Sequence, residues 1–487
     1  MPSIHWPIIR ECLASPLRSA MVDDQRAWRA IDVLVASQHI AAELSRVSGA
    51  RTVGIMLPTG GTFPAAALAA WSLGRVAVPL NYLLRKEELQ YVIDDCETDV
   101  VITATPMLEH LGFTPQHARL VALDRLNFKG LPELRWPRPA DPDDLGVLIY
   151  TSGTSGRPKG VMLSHGNITS NVAQYLGAVS ITSQDVMLGV LPQFHSFGFT
   201  VLTMAPLTIG CKVVYSARFV PSRIVKLIRE HRPTIFVAIP SMYHALLSVK
   251  DAAPADFASL RLAVSGGEPL PFDVACKFKQ RFGVTINEGY GLTETSPATN
   301  VCLPDDHREK SVGPPLRGVL QRIVPVQGMG AHGEGSGEIR MKGPNIMQGY
   351  FKLPAESAAA FDDEGWFRTG DIGRFDAAGH LYITGRLKEM MIVGGENVFP
   401  REIEEVLDAH PGVHASAVIG AIDPVRGEVP VAFIEMREGA VFEESDLRTW
   451  CRDRLAGYKV PRDIRRLDAL PRNPTGKIMR RELKKQL

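Results

Sequence analysis

Residues 150–160 read Tyr-Thr-Ser-Gly-Thr-Ser-Gly-Arg-Pro-Lys-Gly, a stretch crowded with groups that can hold an anion. Gly153 and Gly156 let backbone N–H groups come close to a ligand, Thr151, Ser152, Thr154 and Ser155 offer hydroxyl donors, and Lys159 brings a positive charge. The chemistry is that of a phosphate cradle, with a polyphosphate as its natural guest. The spacing departs from the P-loop pattern, because Pro158 stands before the lysine and Gly160 after it, where that pattern has Gly-Lys-Ser/Thr. A Ser/Thr/Gly cluster is also what a plain surface turn looks like, so the stretch needs support from elsewhere in the chain.

Four further blocks give that support, in order along the chain. Asn287-Glu-Gly-Tyr-Gly-Leu-Thr-Glu294 sets a flat aromatic among glycines and places a hydroxyl next to a carboxylate. Trp366-Phe-Arg-Thr-Gly-Asp371 ends in an acid at a strand boundary. Gly385-Arg-Leu-Lys-Glu389 runs into Gly394-Gly-Glu-Asn397, and Pro471-Arg-Asn-Pro-Thr-Gly-Lys477 is a Pro/Gly-constrained loop that ends on a long amine. Together with residues 150–160, these blocks resemble the signature motifs of the adenylate-forming superfamily, which comprises acyl-CoA synthetases, peptide-synthetase adenylation domains and beetle luciferases. The set spans most of the chain. It is specific for the reaction class and weak for the substrate.

The resemblance implies activation of a carboxylic acid by ATP and Mg²⁺, through an acyl-AMP, followed by transfer to the thiol of CoA. It implies that Thr151 to Gly156 and Lys159 hold phosphates, and that Gly267 and Glu268, in the loop Ser265–Pro269, line the adenine and acyl pockets. Tyr290 stacks on adenine beside Gly291, Thr293 bonds the α-phosphate and Glu294 helps to hold the metal. Asp371 takes the ribose hydroxyls with Arg386 as its cationic companion, and Lys477 bridges the substrate carboxylate and the α-phosphate. The side-chain-free turn at Gly394 and Gly395 admits the pantetheine arm. His195, flanked by aromatics in Gln193-Phe-His-Ser-Phe-Gly198, would on its own be a packed core histidine; the resemblance makes it and Phe194 pocket walls, with His195 counted among the catalytic groups.

The same comparison narrows the acid. Amino-acid-activating relatives hold the substrate ammonium with an Asp where His195 stands, which argues against an amino acid. Dicarboxylate-activating relatives can present an Arg just before the motif tyrosine, where this chain has Gly289. With Phe194, Phe197, Phe199 and Met204 nearby, the expected substrate is a monocarboxylic acid with an apolar tail, in look closest to a medium- or long-chain fatty acid. CoA is the expected acceptor. The alternative is an acyl-AMP ligase that delivers its acyl group to a carrier protein or another nucleophile.

Length and composition agree with such an enzyme. The 487 residues exceed one ordinary domain, and 45% hydrophobic residues, 22% charged residues and a formal net charge of +1 give no footprint of a nucleic-acid partner. The six cysteines form no C-x-x-C pair, so neither a disulfide framework nor a zinc site is expected, and the expected location is cytoplasmic. No apolar run reaches the ~18 residues of a membrane span. The basic tail from Arg465 to Lys485 could still meet the phosphates of CoA, an acidic carrier protein or an anionic membrane surface.

The elements that must position these groups read as an α/β fold. Short apolar runs such as Val53–Leu57, Val76–Leu80 and Val100–Thr103 alternate with helical windows Phe63–Leu73 and Lys86–Asp94, the rhythm of βαβ units with parallel strands. The rhythm resumes with strands Ile235–Ile239 and Leu260–Val264, whose ends should meet a ligand crevice. A Gly-rich run, Gly328–Gly337, leads into a small β subdomain. The expected division is an adenylation domain over residues 1–385 and a mobile α+β domain over residues 386–487, with a hinge near Lys388.

Overall fold

The computed structural model describes residues 3–152, 157–326, 335–472 and 478–487. Two large sheets form the scaffold. In the first, parallel strands Val186–Gly189, Lys212–Tyr215, Ile235–Ala238, Leu262–Ser265 and Ile286–Gly291 occupy the centre of an eight-stranded sheet, and Ala298–Val301 closes one edge antiparallel to Ile286–Gly291. In the second, Thr52–Ile55, Val76–Pro79, Val100–Thr103 and Arg119–Ala122 run parallel, and the antiparallel hairpin Leu145–Ser152 and Pro158–Ser164 extends that seven-stranded sheet. The strand runs read from the sequence are all present, with ends moved by one or two residues.

The helix Thr62–Ser72 explains how the two sheets meet. Its sequence, Thr-Phe-Pro-Ala-Ala-Ala-Leu-Ala-Ala-Trp-Ser, is buried on every face from Phe63 onward, and its small side chains let it sit inside a common core. Trp71 ties the helix to the hairpin by donating from Nε1 to the Gly146 carbonyl at 2.8 Å, and its ring packs edge-on against Phe199 at 6.1 Å. Phe199 also meets Phe63 at 6.3 Å and is wholly buried, as is Met204 at 1% exposure. These two residues, expected near the acyl pocket, are packed into the core. The cause is the π-helical segment Phe197–Met204, whose wider turns direct Phe199 and Met204 inward.

The phosphate stretch read as a strand emptying into a loop, but Pro158–Ser164 pairs directly with Leu145–Ser152, so that Thr151 stands opposite Lys159 and Ser152 opposite Pro158. The described ends of the stretch therefore belong to two paired antiparallel strands. Residues 153–156, among them Gly153, Thr154, Ser155 and Gly156, lie outside the described residues. The chain then enters the helix His165–Val179 through a capping box, in which Ser164 Oγ accepts from the Asn167 N–H at 3.0 Å and Asn167 Oδ1 accepts from the Ser164 N–H at 2.9 Å.

A four-stranded antiparallel sheet, Leu320–Val324, Gly337–Lys342, Phe367–Phe375 and Leu381–Arg386, forms the expected β subdomain, with residues 327–334 of the Gly-rich run outside the described residues. Beyond it, a five-stranded sheet is built around Gly427–Met436, with helices Pro400–Asp408 and Glu444–Arg452. The buried apolar clusters of this last part contain only residues from Met391 onward, and those of the rest end at Ile383. The chain is a large N-terminal domain and a small C-terminal domain, each with its own core. Among the described residues no helix is long and apolar enough to cross a membrane, and the six cysteines are unpaired.

Candidate active site

The strand Ile286–Gly291 brings the first groups together. Its partner Ala298–Val301 comes so close that a Cβ at Gly291 would lie 1.9 Å from the Pro297 carbonyl oxygen, so only glycine fits there. Tyr290, one residue earlier, donates its hydroxyl to Asp371 Oδ2 at 2.5 Å. Asp371 is 2% exposed and sits opposite Arg386 in the pairing of Phe367–Phe375 with Leu381–Arg386, which sets Arg386 Nε 2.7 Å from its other oxygen. Burial and the adjacent carboxylate of Asp371 hold the Tyr290 phenol protonated, so it stays a donor. A tyrosine, an acid and an arginine predicted from three separate motifs thus form one constellation around a buried carboxylate.

Glu294 and Thr293 follow in a short 3₁₀ turn, Thr293–Thr295. The Glu294 carboxylate accepts from the Tyr350 hydroxyl at 2.9 Å, and its backbone carbonyl accepts from the Met347 N–H at 2.8 Å. Thr293 Oγ1 lies 3.1 Å from Ser196 Oγ. Lys159, on the return strand of the hairpin, places its ammonium 5.5 Å from the centre of the Tyr350 ring. Tyr350 is therefore a hub between the hairpin lysine and the acid. It is reached because Gly349–Tyr350 pairs with Pro158–Ser164, and because the Asn167 side-chain amide donates to the Pro344 and Ile346 carbonyls, both at 2.8 Å. Sequence reasoning named neither Tyr350 nor Ser196. The aromatic that ends Gly343–Tyr350 and the serine within Phe194–Gly198 were the available signals.

The wall opposite is aromatic. Phe194 packs against Tyr82 and against His195, each at 4.7 Å between ring centres, and Phe197 lies so near Gly266 that a Cβ there would meet it at 3.0 Å. His195 Nε2 is buried without a hydrogen-bond partner, and burial lowers the imidazole pKa to about 4. At neutral pH the His195 imidazole is therefore uncharged. Gly267, with φ +84°, and Glu268 lie in the loop between Leu262–Ser265 and the helix Phe272–Phe282, on the same sheet end as Tyr290.

The remaining predicted groups belong to the last part of the chain. Gly394 and Gly395, at φ +61° and +89°, form an exposed turn between Met391–Val393 and Glu396–Val398. Nothing stands within 4 Å of a Cβ at either one. Lys477 falls within residues 473–477, outside the described residues; Arg472 and Ile478 on either side pair with each other. Lys388, in the turn Leu387–Glu389, has its amine drawn below the usual lysine range by burial and then by Arg386, against the pull of Glu389, Asp371 and Glu294.

A divalent cation fits this site on its chemistry. Glu294 is a carboxylate, a hard oxygen ligand, and among the described residues no group of three or more metal-binding side chains exists to hold a resident ion. A cation there would complete its shell with phosphate oxygens, as magnesium does with a nucleotide.

Comparison with known proteins agrees with the geometry. Residues 10–351 match the model of the AMP-binding enzyme family, and residues 402–477 match that of its C-terminal domain. The chain is 34% identical to a feruloyl-CoA synthase of Amycolatopsis sp, over 99% of this chain and 98% of that protein. It is 32% identical to the long-chain-fatty-acid–CoA ligase FadD13 of Mycobacterium tuberculosis, over 100% and 99% of the two. Among solved structures, ATP-bound MatB from Rhodopseudomonas palustris superposes with a TM-score of 0.89 at 29% identity over 99% of each chain, and apo MatB with 0.79 at the same identity and coverage. The chain belongs to the AMP-binding family of adenylate-forming enzymes, and it is an acyl-CoA ligase.

Proposed function

We propose that the protein activates a monocarboxylic acid with an apolar tail, of the medium- or long-chain fatty class, and transfers it to CoA. The observation that carries the substrate class is the wall formed by Tyr82, Phe194, neutral His195 and Phe197, with Gly289 where a cation would be needed for a second carboxylate. A largely aromatic surface with an uncharged imidazole disfavours a charged tail, because the tail's desolvation would go uncompensated.

A carboxylate is a poor acyl donor, so its oxygen first attacks the α-phosphorus of ATP and pyrophosphate leaves; the CoA thiol then attacks the acyl carbon and AMP leaves. In this reading Asp371 and Arg386 hold the ribose and Tyr290 lies against the base. Thr293 donates to the α-phosphate, and the hairpin residues Thr151 to Gly156 with Lys159 hold the outer phosphates. Magnesium on Glu294 would neutralise charge on the phosphate oxygens. Lys477 bridges carboxylate and α-phosphate in the first step. Two arrangements of the small domain serve the two steps, by rotation about Lys388 at a boundary near residues 385 and 386. The exposed turn at Gly394 and Gly395 supports this, because a turn facing solvent guides a thiol only after it has been carried to the N-terminal domain.

The test is a pyrophosphate-release screen with hexanoate, dodecanoate, hexadecanoate, benzoate, ferulate and malonate, run with CoA and with an acyl carrier protein. Fastest release with dodecanoate or hexadecanoate, and a thioester only with CoA, is expected. Preference for ferulate or malonate would overturn the substrate class, and transfer to carrier protein alone would overturn the acceptor.

A further inference from the structure

The small domain touches the large one at side-chain contacts outside the connecting segment. Lys310 Nζ lies 2.8 Å from Glu405 Oε2, on the helix Pro400–Asp408, and Arg401 of the same helix reaches the other Glu405 oxygen at 3.0 Å. Burial alone would raise the Glu405 carboxyl, yet Lys310 and Arg401 hold it below its ordinary value. On another face Arg437 Nη2 is 3.2 Å from Asp273 Oδ2, at the start of the helix Phe272–Phe282, while Lys277 holds the same carboxylate from one turn on at 2.7 Å. Next to that pair the rings of His244 and His414, one from each domain, meet edge to face at 5.3 Å. These side chains are partly exposed, at 52% and 41% for Lys310 and Glu405 and at 30% and 38% for Arg437 and Asp273.

We propose that Lys310 with Glu405, and Arg437 with Asp273, form an electrostatic latch that holds the small domain in the arrangement serving adenylate formation. The proposal rests on the two-arrangement reading above. One feature assigns this arrangement to the first step: the Gly394–Gly395 turn, which would guide the thiol in the second step, is turned out to solvent. Partly exposed ion pairs are weak singly and are broken easily, which suits a contact that must open in every turnover. Lys310, Glu405, Arg437 and Asp273 are positioning residues, because none of them contacts the constellation around Asp371 and Glu294.

The test separates the half-reactions in a Lys310→Ala/Arg437→Ala variant, using the acid with the fastest pyrophosphate release in the screen. Pyrophosphate release without CoA should fall about five- to tenfold, while thioester formation from the pre-formed acyl-adenylate and CoA should be unchanged or faster. Raising salt from about 0.05 M to about 0.5 M should shrink the gap between variant and wild type. Equal loss in both steps, or no loss in either, overturns the latch while leaving the two-step reading intact. A wild-type enzyme that releases pyrophosphate but makes no thioester from the supplied adenylate overturns that reading, and the latch with it.

Discussion

Asp371 accepts from Tyr290 on one oxygen and faces Arg386 on the other, and each oxygen keeps a second lone pair, which the ribose contact proposed above would use. The acid is therefore aimed before any ligand arrives, and binding costs no reorientation of it. Glu294 is held in the same way by Tyr350, and that contact can be removed without disturbing the fold. Tyr350→Phe deletes one hydroxyl that bonds a charged acceptor and leaves the ring under Lys159 in place, a loss on the order of 2 kcal/mol. The Mg²⁺ concentration giving half-maximal pyrophosphate release should rise about thirtyfold, with thioester formation from supplied acyl-adenylate unaffected. An unaltered magnesium titration would remove Tyr350 from the site.

The strand Ile286–Gly291 carries a strain of a different kind. Glu288 is 9% exposed, and burial raises its carboxyl pKa from 4.5 to about 7, against the opposing pull of Arg401 from the small domain. Between those values the folded protein keeps a proton that the unfolded chain gives up. The stability from this group is thus complete at low pH and is lost as pH rises through 7, a penalty on the order of 3 kcal/mol in alkaline buffer. Glu288→Gln should melt several degrees above wild type near pH 8 and together with it near pH 5, as followed by thermal denaturation. A difference that does not depend on pH would show that the carboxyl does not titrate there.

At this scale much was legible in the sequence, for reasons that can be named. Val100–Thr103 and Ile235–Ala238 are runs of buried β-branched and apolar residues, and helix Pro400–Asp408 shows its apolar stripe at Ile403 and Leu407; each pattern is local. The return strand Pro158–Ser164 was missed because its opening Pro and Gly belong to the phosphate stretch and read as loop; pairing with Leu145–Ser152 overrides that preference. The π-helical turn of Phe197–Met204 was not read because such a segment has no sequence period to betray it. Tyr350 was missed because its tie to Glu294 spans 56 positions, a relation that no spacing rule encodes.

For the molecule as a whole, the separation of steps predicts opposite failures at the two motifs of the small domain. Lys477→Ala should lower pyrophosphate release by at least about a hundredfold yet spare transfer from supplied acyl-adenylate. Gly395→Trp should leave pyrophosphate release intact and block thioester formation. Measured side by side, two variants that fail at the same step would contradict the division of labour between them.

The apolar clusters on either side of residues 384–390 share no side chain. Each half of the chain therefore has its own reason to stay folded, and neither needs the other to exclude water from its interior. Scanning calorimetry on the intact protein should resolve a minor endotherm from residues 391–487 beside a major one, and a short flexible insertion between residues 386 and 391 should leave both peaks in place.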